Sequence, residues 1–336
     1  MKYFNIPVFV PHLGCPFDCV FCNQRRITGT SGEDVDEKKV KEIIEEHLKQ
    51  LPADECEIEI AFFGGSFTGI DKNLQERLLG AAYEYVGRHG IVGIRASTRP
   101  DYISREVMER MTKYGTTTLE LGVQSMSPEV LSASCRGHTV EDVEKAVSLI
   151  REYPIKLGLQ MMTGLPGDSD EKSLETADKL IALKPDFVRI YPTLVIKGTA
   201  LEDMYKSGSY RPQTVYEAAE LCHKLLQKFN AAGVKVIRVG LQNTDEISPD
   251  GSVVAGPYHS AFGELVESEI YFDKIKEKIL PIRSENIVVR VNPHDVSKAA
   301  GHKKCNIEKA EKLLGKKIKI KSDSSLNRGE ITAEGR

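Results

Sequence analysis

An α/β chain whose first part forms a partial (β/α)6-type barrel, followed by a small α+β appendage, is the architecture this 336-residue sequence predicts. Three observations lead there. Short apolar and β-branched runs alternate with longer amphipathic segments, the pattern of parallel strands joined by helical crossovers. Polar and glycine-rich motifs fall directly after the strand-like runs, where barrels of this kind place their sites. From about residue 244 the alternation loosens through the turn-rich Asn243-Thr-Asp-Glu-Ile-Ser-Pro-Asp-Gly-Ser252, so the expected division is 1–243 for the barrel and 244–336 for a small basic appendage.

Taken in order, the first strand is expected at 3–10 and the first helix at 35–50, where Val35, Val40, Ile43, Ile44 and Leu48 share one side. A strand at 57–63 leads to a helix at 73–88, with Asp71 placed to cap it. The strand at 92–98 is followed by a helix at 104–113, opened by Ser104 and closed by Gly115. Next come a strand at 117–123, a helix at 139–151 behind the cap Thr139, a strand at 155–162, a helix at 173–183 and a strand at 187–193. A helix at 214–231, between Thr214 and Gly233, and a strand at 234–240 complete the barrel. In the appendage, Pro257 to Glu269 leads into a helix, and a strand at 286–291, a helix near 306–314 and an alternating strand at 316–321 follow.

The chain is 40% hydrophobic with a formal net charge of −3, which supplies a large core and no general attraction to nucleic acid or membrane. No apolar run reaches the length of a membrane span, and the first ten residues lack a signal-peptide layout. Seven cysteines without framework spacing suit a reducing compartment, so the expected location is cytoplasmic. Charge is uneven: residues 298–321 hold nine lysines against Glu308 and Glu311. Such a cluster either tracks the phosphates of RNA or keeps an edge strand from pairing with another chain.

Cys15, Cys19 and Cys22 form a Cys-x3-Cys-x2-Cys loop after the first strand. A cubane 4Fe-4S cluster normally takes four thiolates, so three leave one iron open. S-adenosylmethionine chelates an open iron through its amino and carboxylate groups, which brings its sulfonium within reach of an electron, and reductive cleavage then yields a 5′-deoxyadenosyl radical. Zinc is the competing reading, with His12 completing a Cys3His set. Cys56, Cys135, Cys222 and Cys305 stand singly and read as small apolar residues or free thiols.

The motifs after the next strands converge on the same mouth. Gly64-Gly65-Ser66 either makes a tight turn or, beside the cysteine loop, presents bare backbone to a ligand's amino group. Arg136 is placed to pair with a carboxylate, against the alternative of a surface arginine. Gln124 and Gln160 are amides at apolar strand ends, which require either a ribose hydroxyl or a neighbouring loop as partner, and Thr98 and Arg99 share that ambiguity. Tyr191 and Lys197 follow the sixth strand and face either substrate or solvent.

The cysteine trio with Gly64-Gly65-Ser66 resembles the radical S-adenosylmethionine superfamily. Within it, Thr98-Arg-Pro-Asp-Tyr102, Leu119-Glu-Leu-Gly-Val-Gln-Ser125, Arg136-Gly-His-Thr139, Gly164-Leu-Pro166 and Tyr191-Pro-Thr-Leu-Val-Ile-Lys-Gly-Thr199 resemble the radical domain of the elongator catalytic subunit family. The resemblance implies a partial barrel, a 4Fe-4S cluster held by Cys15, Cys19 and Cys22, and S-adenosylmethionine. It implies Gly64, Gly65 and Ser66 at the methionyl amino group, Gln124 and Arg136 at ribose and carboxylate, and Gln160 nearby. It also implies action on the wobble uridine of transfer RNA. Elongator subunits have a longer gap between their first two cluster cysteines and a carboxy-terminal acetyltransferase domain for which this sequence leaves no room, so acetyl transfer is not expected. Oxygen-independent coproporphyrinogen oxidase, a related radical enzyme, has glutamate where Ser97 stands, so a ribose contact is not carried over to that position.

The expected function is a radical S-adenosylmethionine enzyme that modifies RNA, transfer RNA in particular, with an external one-electron donor. Arg99, Tyr191 and Lys197 are its candidate substrate-facing residues, and the lysines of 298–321 its candidate RNA contact. The alternatives are a small-metabolite substrate such as a tetrapyrrole, or a non-catalytic iron-sulfur or RNA-binding protein.

Overall fold

The structure is a computed structural model that describes residues 2–10, 19–23, 35–51, 56–241, 247–248, 251–301 and 304–336. Seven strands lie side by side in the order the chain makes them: β1 (Lys2–Phe9), β2 (Cys56–Phe63), β3 (Ile91–Thr98), β4 (Thr116–Gln124), β5 (Lys156–Thr163), β6 (Phe187–Pro192) and β8 (Lys235–Val239). Every neighbouring pair is parallel. Sequential order with helical crossovers is how a right-handed βα series winds, and it makes a partial barrel with β1 and β8 at its edges.

The crossovers are α1 (Glu37–Leu48), α2 (Lys72–Tyr83), α3 (Arg105–Lys113), α4 (Pro128–Ala133), α5 (Val140–Ile150), α6 (Asp170–Ala182), α7 (Ala200–Lys206) and α8 (Val215–Ala231). Their starts follow the expected caps. Asp71 accepts from Leu74 N–H, Ser104 from Val107 N–H, and Thr139 forms a reciprocal capping box with Asp142. Thr214 accepts from Glu217 N–H. The second helix ends at Tyr83 rather than continuing to 88, because Gly87, His89 and Gly90 take left-handed backbone and turn the chain into β3. The six-residue α4, the seven-residue α7 and a two-stranded ribbon of β7 (Val195–Ile196) with β9 (Val253–Ala255) are too short for periodicity to reveal.

Side chains alternate across the main sheet. Ile58, Ile60 and Phe62 of β2, Ile94 and Ala96 of β3, Leu119, Leu121 and Val123 of β4, and Leu157, Leu159 and Met161 of β5 form one fully buried apolar face. The other face holds Glu59, Arg95 and Glu120, also buried.

The chain divides into two compact units, residues 1–213 with 228–258 and residues 214–227 with 259–336, so α8 contributes to both. The second unit contains α9 (Phe262–Ile279), β10 (Asn286–Val291), α10 (Val296–Ala300), α11 (Cys305–Leu314), β11 (Lys317–Ser322) and β12 (Ile331–Gly335). Its sheet order is β11-β10-β12, with β10 parallel to β11 and antiparallel to β12. Tyr271, Ile275 and Ile279 of α9 pack with Ile287, Val289 and Val291 of β10, Ala299, Ala310, Ile318 and Ile331 to form its core.

Candidate functional site

A cavity of about 270 Å³ opens at the carboxyl ends of β2 to β6. It is lined by Cys19, Cys22, Gly64, Gly65, Ser66, Thr98, Arg99, Gln124, Arg136, Gln160 and Tyr191, so residues from widely separated stretches of sequence meet there. Ser97, Glu120, Gly122 and Met162 complete the polar and small part of the wall, and Phe21, Phe63, Leu194, Ile196 and Leu241 supply apolar surface. Lys197 is not among the lining residues: it is exposed, and its backbone oxygen accepts from Asn23 Nδ2 at 3.2 Å. Cys15, the first cysteine of the trio, and His12 lie outside the described residues.

The cysteine loop is anchored from both sides. Val20 N–H donates to Ser134 O just after α4, and Leu201 N–H in α7 donates to Val20 O at 2.7 Å. Val20 also packs with Val195, Leu201 and Tyr210. Cys22 N–H closes a turn on Cys19 O. These contacts hold Cys19, 5% exposed, at the cavity wall.

Gly64 sits at φ +110, and a Cβ there would lie 2.6 Å from Val10 O. Any side chain would push the end of β1 away, so the strip after β2 must stay bare backbone. Across the cavity Gln124 ends β4 at φ +68, beside a register shift between Gly122 and Gln124. The shift turns its amide into the cavity, where Gln160 Nε2 donates to Gln124 Oε1 at 3.2 Å.

Arg136 follows Cys135, another left-handed residue, and is 8% exposed. Its Nη2 donates to Gly122 O at 2.7 Å and its Nη1 to Cys19 Sγ at 3.5 Å, while Nε is buried without a partner. A Cβ on Gly122 would stand 3.0 Å from that guanidinium, so the glycine is what admits it. Arg99 supports the same turn: it pairs with Asp101 through Nε and Nη2 and donates from Nη2 to Arg136 O at 2.6 Å. Thr98 shares a 2.6 Å hydrogen bond with Thr68. His138 lies just beyond, its Nε2 on Val123 O. Burial, then the charges of Arg136 and Arg99, push its pKa down to about 3, so this ring is neutral.

The inner wall below is ionic. Arg95 lies between Glu59, at 2.8 Å, and Glu120, at 2.6 Å, and Arg189 reaches Glu120 Oε1 at 3.1 Å and Tyr191 Oη at 3.4 Å. Tyr3, Thr117 and Thr118 hydroxyls donate to Glu59. Burial opposes the Glu59 carboxylate, but the Arg95 charge and the Thr117, Thr118 and Tyr3 hydroxyls together outweigh it and hold the pKa below the usual value. Burial raises the Tyr191 phenol against the opposing charge of Arg189. Glu120 escapes a reading of the sequence alone, although a lone acid in Thr116-Thr-Thr-Leu-Glu-Leu is the available signal: at that register it faces the barrel interior.

The donor set fits a cluster bound together with an amino-acid-bearing ligand. Two thiols stand at one wall, bare backbone at the next, and a buried guanidinium keeps one unmatched N–H.

Residues 9–180 match the radical SAM superfamily, and residues 185–271 match the radical SAM C-terminal domain. The chain is 31% identical over 258 residues to a tRNA uridine(34) acetyltransferase of Methanocaldococcus jannaschii, covering 71% of this chain and 47% of that protein. It is 33% identical over 201 residues to the Homo sapiens Elongator complex protein 3, covering 54% of this chain and 37% of that protein. The chain thus spans half or less of the length of these two relatives. The archaeal Methanocaldococcus infernus Elp3 lacking its N-terminus superposes with a TM-score of 0.63 at 28% identity, covering 82% of this chain and 63% of that one. Cys19 and Cys22, the glycine strip and the arginine-bearing turn lie at the mouth of a sequentially wound parallel barrel within the matched stretch, and the chain belongs to the radical SAM superfamily.

Proposed function

We propose that this enzyme cleaves S-adenosylmethionine reductively at a 4Fe-4S cluster and directs the resulting radical chemistry to a uridine of transfer RNA. The family's cofactors are the cluster and S-adenosylmethionine. When bound, they supply a 5′-deoxyadenosyl radical after one electron arrives from an external donor.

The chain's own residues have separable tasks in this reading. Cys15, Cys19 and Cys22 hold iron. Gly64, Gly65 and Ser66 offer backbone to the methionyl amino group, and Arg136 turns its unmatched Nε–H towards the carboxylate. Gln124 and Gln160, already hydrogen-bonded to each other, orient towards ribose, with Thr98 at the same wall. Arg99 positions Arg136 through its backbone oxygen. Tyr191, Met162 and Glu120 face the remaining space, where the substrate enters. Apolar Phe63, Leu194 and Ile196 exclude water from a reactive radical. Cysteines without framework spacing support a reducing, cytoplasmic setting, and no helix among the described residues is long and apolar enough to cross a membrane.

The observation that carries this reading is the meeting of Cys19, the Gly64–Ser66 strip and Arg136 around one cavity. Transfer RNA as substrate is supported by the similarity to the tRNA uridine(34) acetyltransferase of Methanocaldococcus jannaschii. The test is anaerobic reconstitution with iron and sulfide, then dithionite and S-adenosylmethionine. Release of 5′-deoxyadenosine, lost in Cys19→Ala, is expected, together with a transfer-RNA nucleoside missing from cells that carry only the variant. A protein that holds zinc, or a cluster without 5′-deoxyadenosine release, refutes the first half. An unchanged nucleoside profile with an altered small-metabolite profile refutes the second.

A further inference from the structure

The second unit presents a basic face that the barrel chemistry does not use. Lys317, Lys319 and Lys321 of β11 stand in register with Asn286, Val288 and Arg290 of β10. They therefore share the side of the sheet opposite the core residues Ile287, Val289 and Ile318, a side on which buried Val288 is flanked by the Arg290–Glu334 ion pair and the lysines occupy the β11 edge. Residues two apart along a strand are separated by about 6.6 Å, so the three cations repeat on the scale of successive phosphates in a nucleotide chain. Lys298 and Lys309 are paired with Glu267 and Glu269, whereas the three β11 lysines have no carboxylate partner among the described residues. On the first unit, Lys41, Lys72 and Lys172 each hold a glutamate. Both family matches end by residue 271, before this sheet begins.

Behind the face the chain runs β10, α10, α11 and β11, with the two strands parallel. Between the two helices, Gly301 at φ +75 and Lys304 at φ +66 take left-handed backbone; residues 302 and 303 lie outside the described residues. A Cβ at 301 would come within 2.7 Å of Cys305 Sγ and 2.9 Å of Asn306 Cγ, so glycine is required. Buried Asn306 donates to Ser268 and to Ala299 O, tying α11 to α9 and α10.

We propose that the β11 face of the second unit binds the phosphate backbone of single-stranded RNA, Lys317, Lys319 and Lys321 meeting successive phosphates. This rests on the function proposed above only in the choice of RNA over another polyanion. The competing role for such lysines is to keep an edge strand from pairing with another copy, and the experiment separates the two.

Binding of a labelled single-stranded RNA, and of a duplex of the same length, is measured by fluorescence anisotropy on the whole chain across a salt series. The single strand is expected to bind more tightly than the duplex. Lys319→Glu with Lys321→Glu should weaken it at least about tenfold and flatten the slope of log K against log salt by about 1.4, at about 0.7 for each phosphate no longer neutralised. Lys319→Gln with Lys321→Gln should give a smaller loss, and Lys41→Glu with Lys72→Glu on the first unit almost none. Unchanged affinity in the charge-reversed variant, tighter binding of the duplex, or larger assemblies with RNA affinity intact would each overturn the proposal. Because the readout needs neither cluster nor S-adenosylmethionine, RNA binding without 5′-deoxyadenosine release leaves this surface standing and removes the catalytic reading. The converse result does the opposite.

Discussion

The two faces of the parallel sheet are taken out of water by opposite means. Towards the helices, Ile58, Ile60, Leu119, Leu121, Leu157 and Leu159 present interchangeable hydrocarbon, stabilised in proportion to the area taken from water. Towards the barrel interior, Glu59, Arg95, Glu120 and Arg189 form a chain of alternating charges, each paired with the next and supported by neighbouring hydroxyls. The first face tolerates exchange of one aliphatic group for another of similar volume. The second tolerates no single loss, because desolvated charges need complete pairing. Such a chain adds little net stability over apolar residues of the same size. Its retention therefore fits a role at the cavity, where Glu120 and Tyr191 are exposed to whatever enters.

The contrast breaks most sharply at Arg95. Arg95→Met strands Glu59 and Glu120 without their shared cation and removes the guanidinium from above the Phe187 ring. A loss of about 3–5 kcal/mol is expected in denaturant unfolding. Replacing Glu59, Arg95, Glu120 and Arg189 together by leucine or methionine should restore most of that stability while abolishing substrate turnover. A single variant that costs less than about 1 kcal/mol would show that the ladder is hydrated and that the two faces do not differ as described. On the helix-facing side, Leu121→Ala should cost about 3 kcal/mol through lost transfer energy and a residual cavity. Leu121→Met should cost under about 1.5 kcal/mol. If the methionine variant were as damaging as the alanine one, the outer face would be as exacting as the inner.

The same contrast explains what could be read in advance. The outer face was legible because a run of inward-packed aliphatics between capped helices is a local pattern: Asp71, Ser104 and Thr139 mark helix starts, and Ile58 to Phe62 mark a strand, without knowledge of anything distant. The inner face was only half legible. Gln124, Gln160 and Tyr191 stood out as polar residues at strand ends, but the partner of Glu120 is Arg189, 69 residues away, and no local rule links them. Arg136 stands out in the sequence only as a candidate partner for a carboxylate; its contacts with Cys19, 117 residues earlier, and with Gly122 O depend on the barrel bringing those loops together. The second unit's β12 was missed because Ile331-Thr-Ala-Glu-Gly335 is five residues long and gains its strand character from pairing with β10.

Where the two faces meet, His138 offers the smallest and most selective test. Its ring is 3% exposed, hydrogen-bonded to Val123 O from the apolar side and set beside Arg136 and Arg99 from the cavity side, with Asp142 as the nearby acid. Its folded pKa of about 3 lies below the unfolded value of 6.5, so between those limits the unfolded chain binds more protons and stability rises with pH. The contribution is intact above pH 6.5 and is lost on acidification, amounting to about 2 kcal/mol at pH 5 relative to pH 7.5 from this group alone. Urea unfolding at the two pH values, on the wild type and on His138→Gln, isolates it from the carboxylates, which titrate in both. The variant should show a pH dependence shallower by about 2 kcal/mol. Equal slopes would mean that the ring is protonated in the folded protein, and that the arginine-bearing turn admits a third cation.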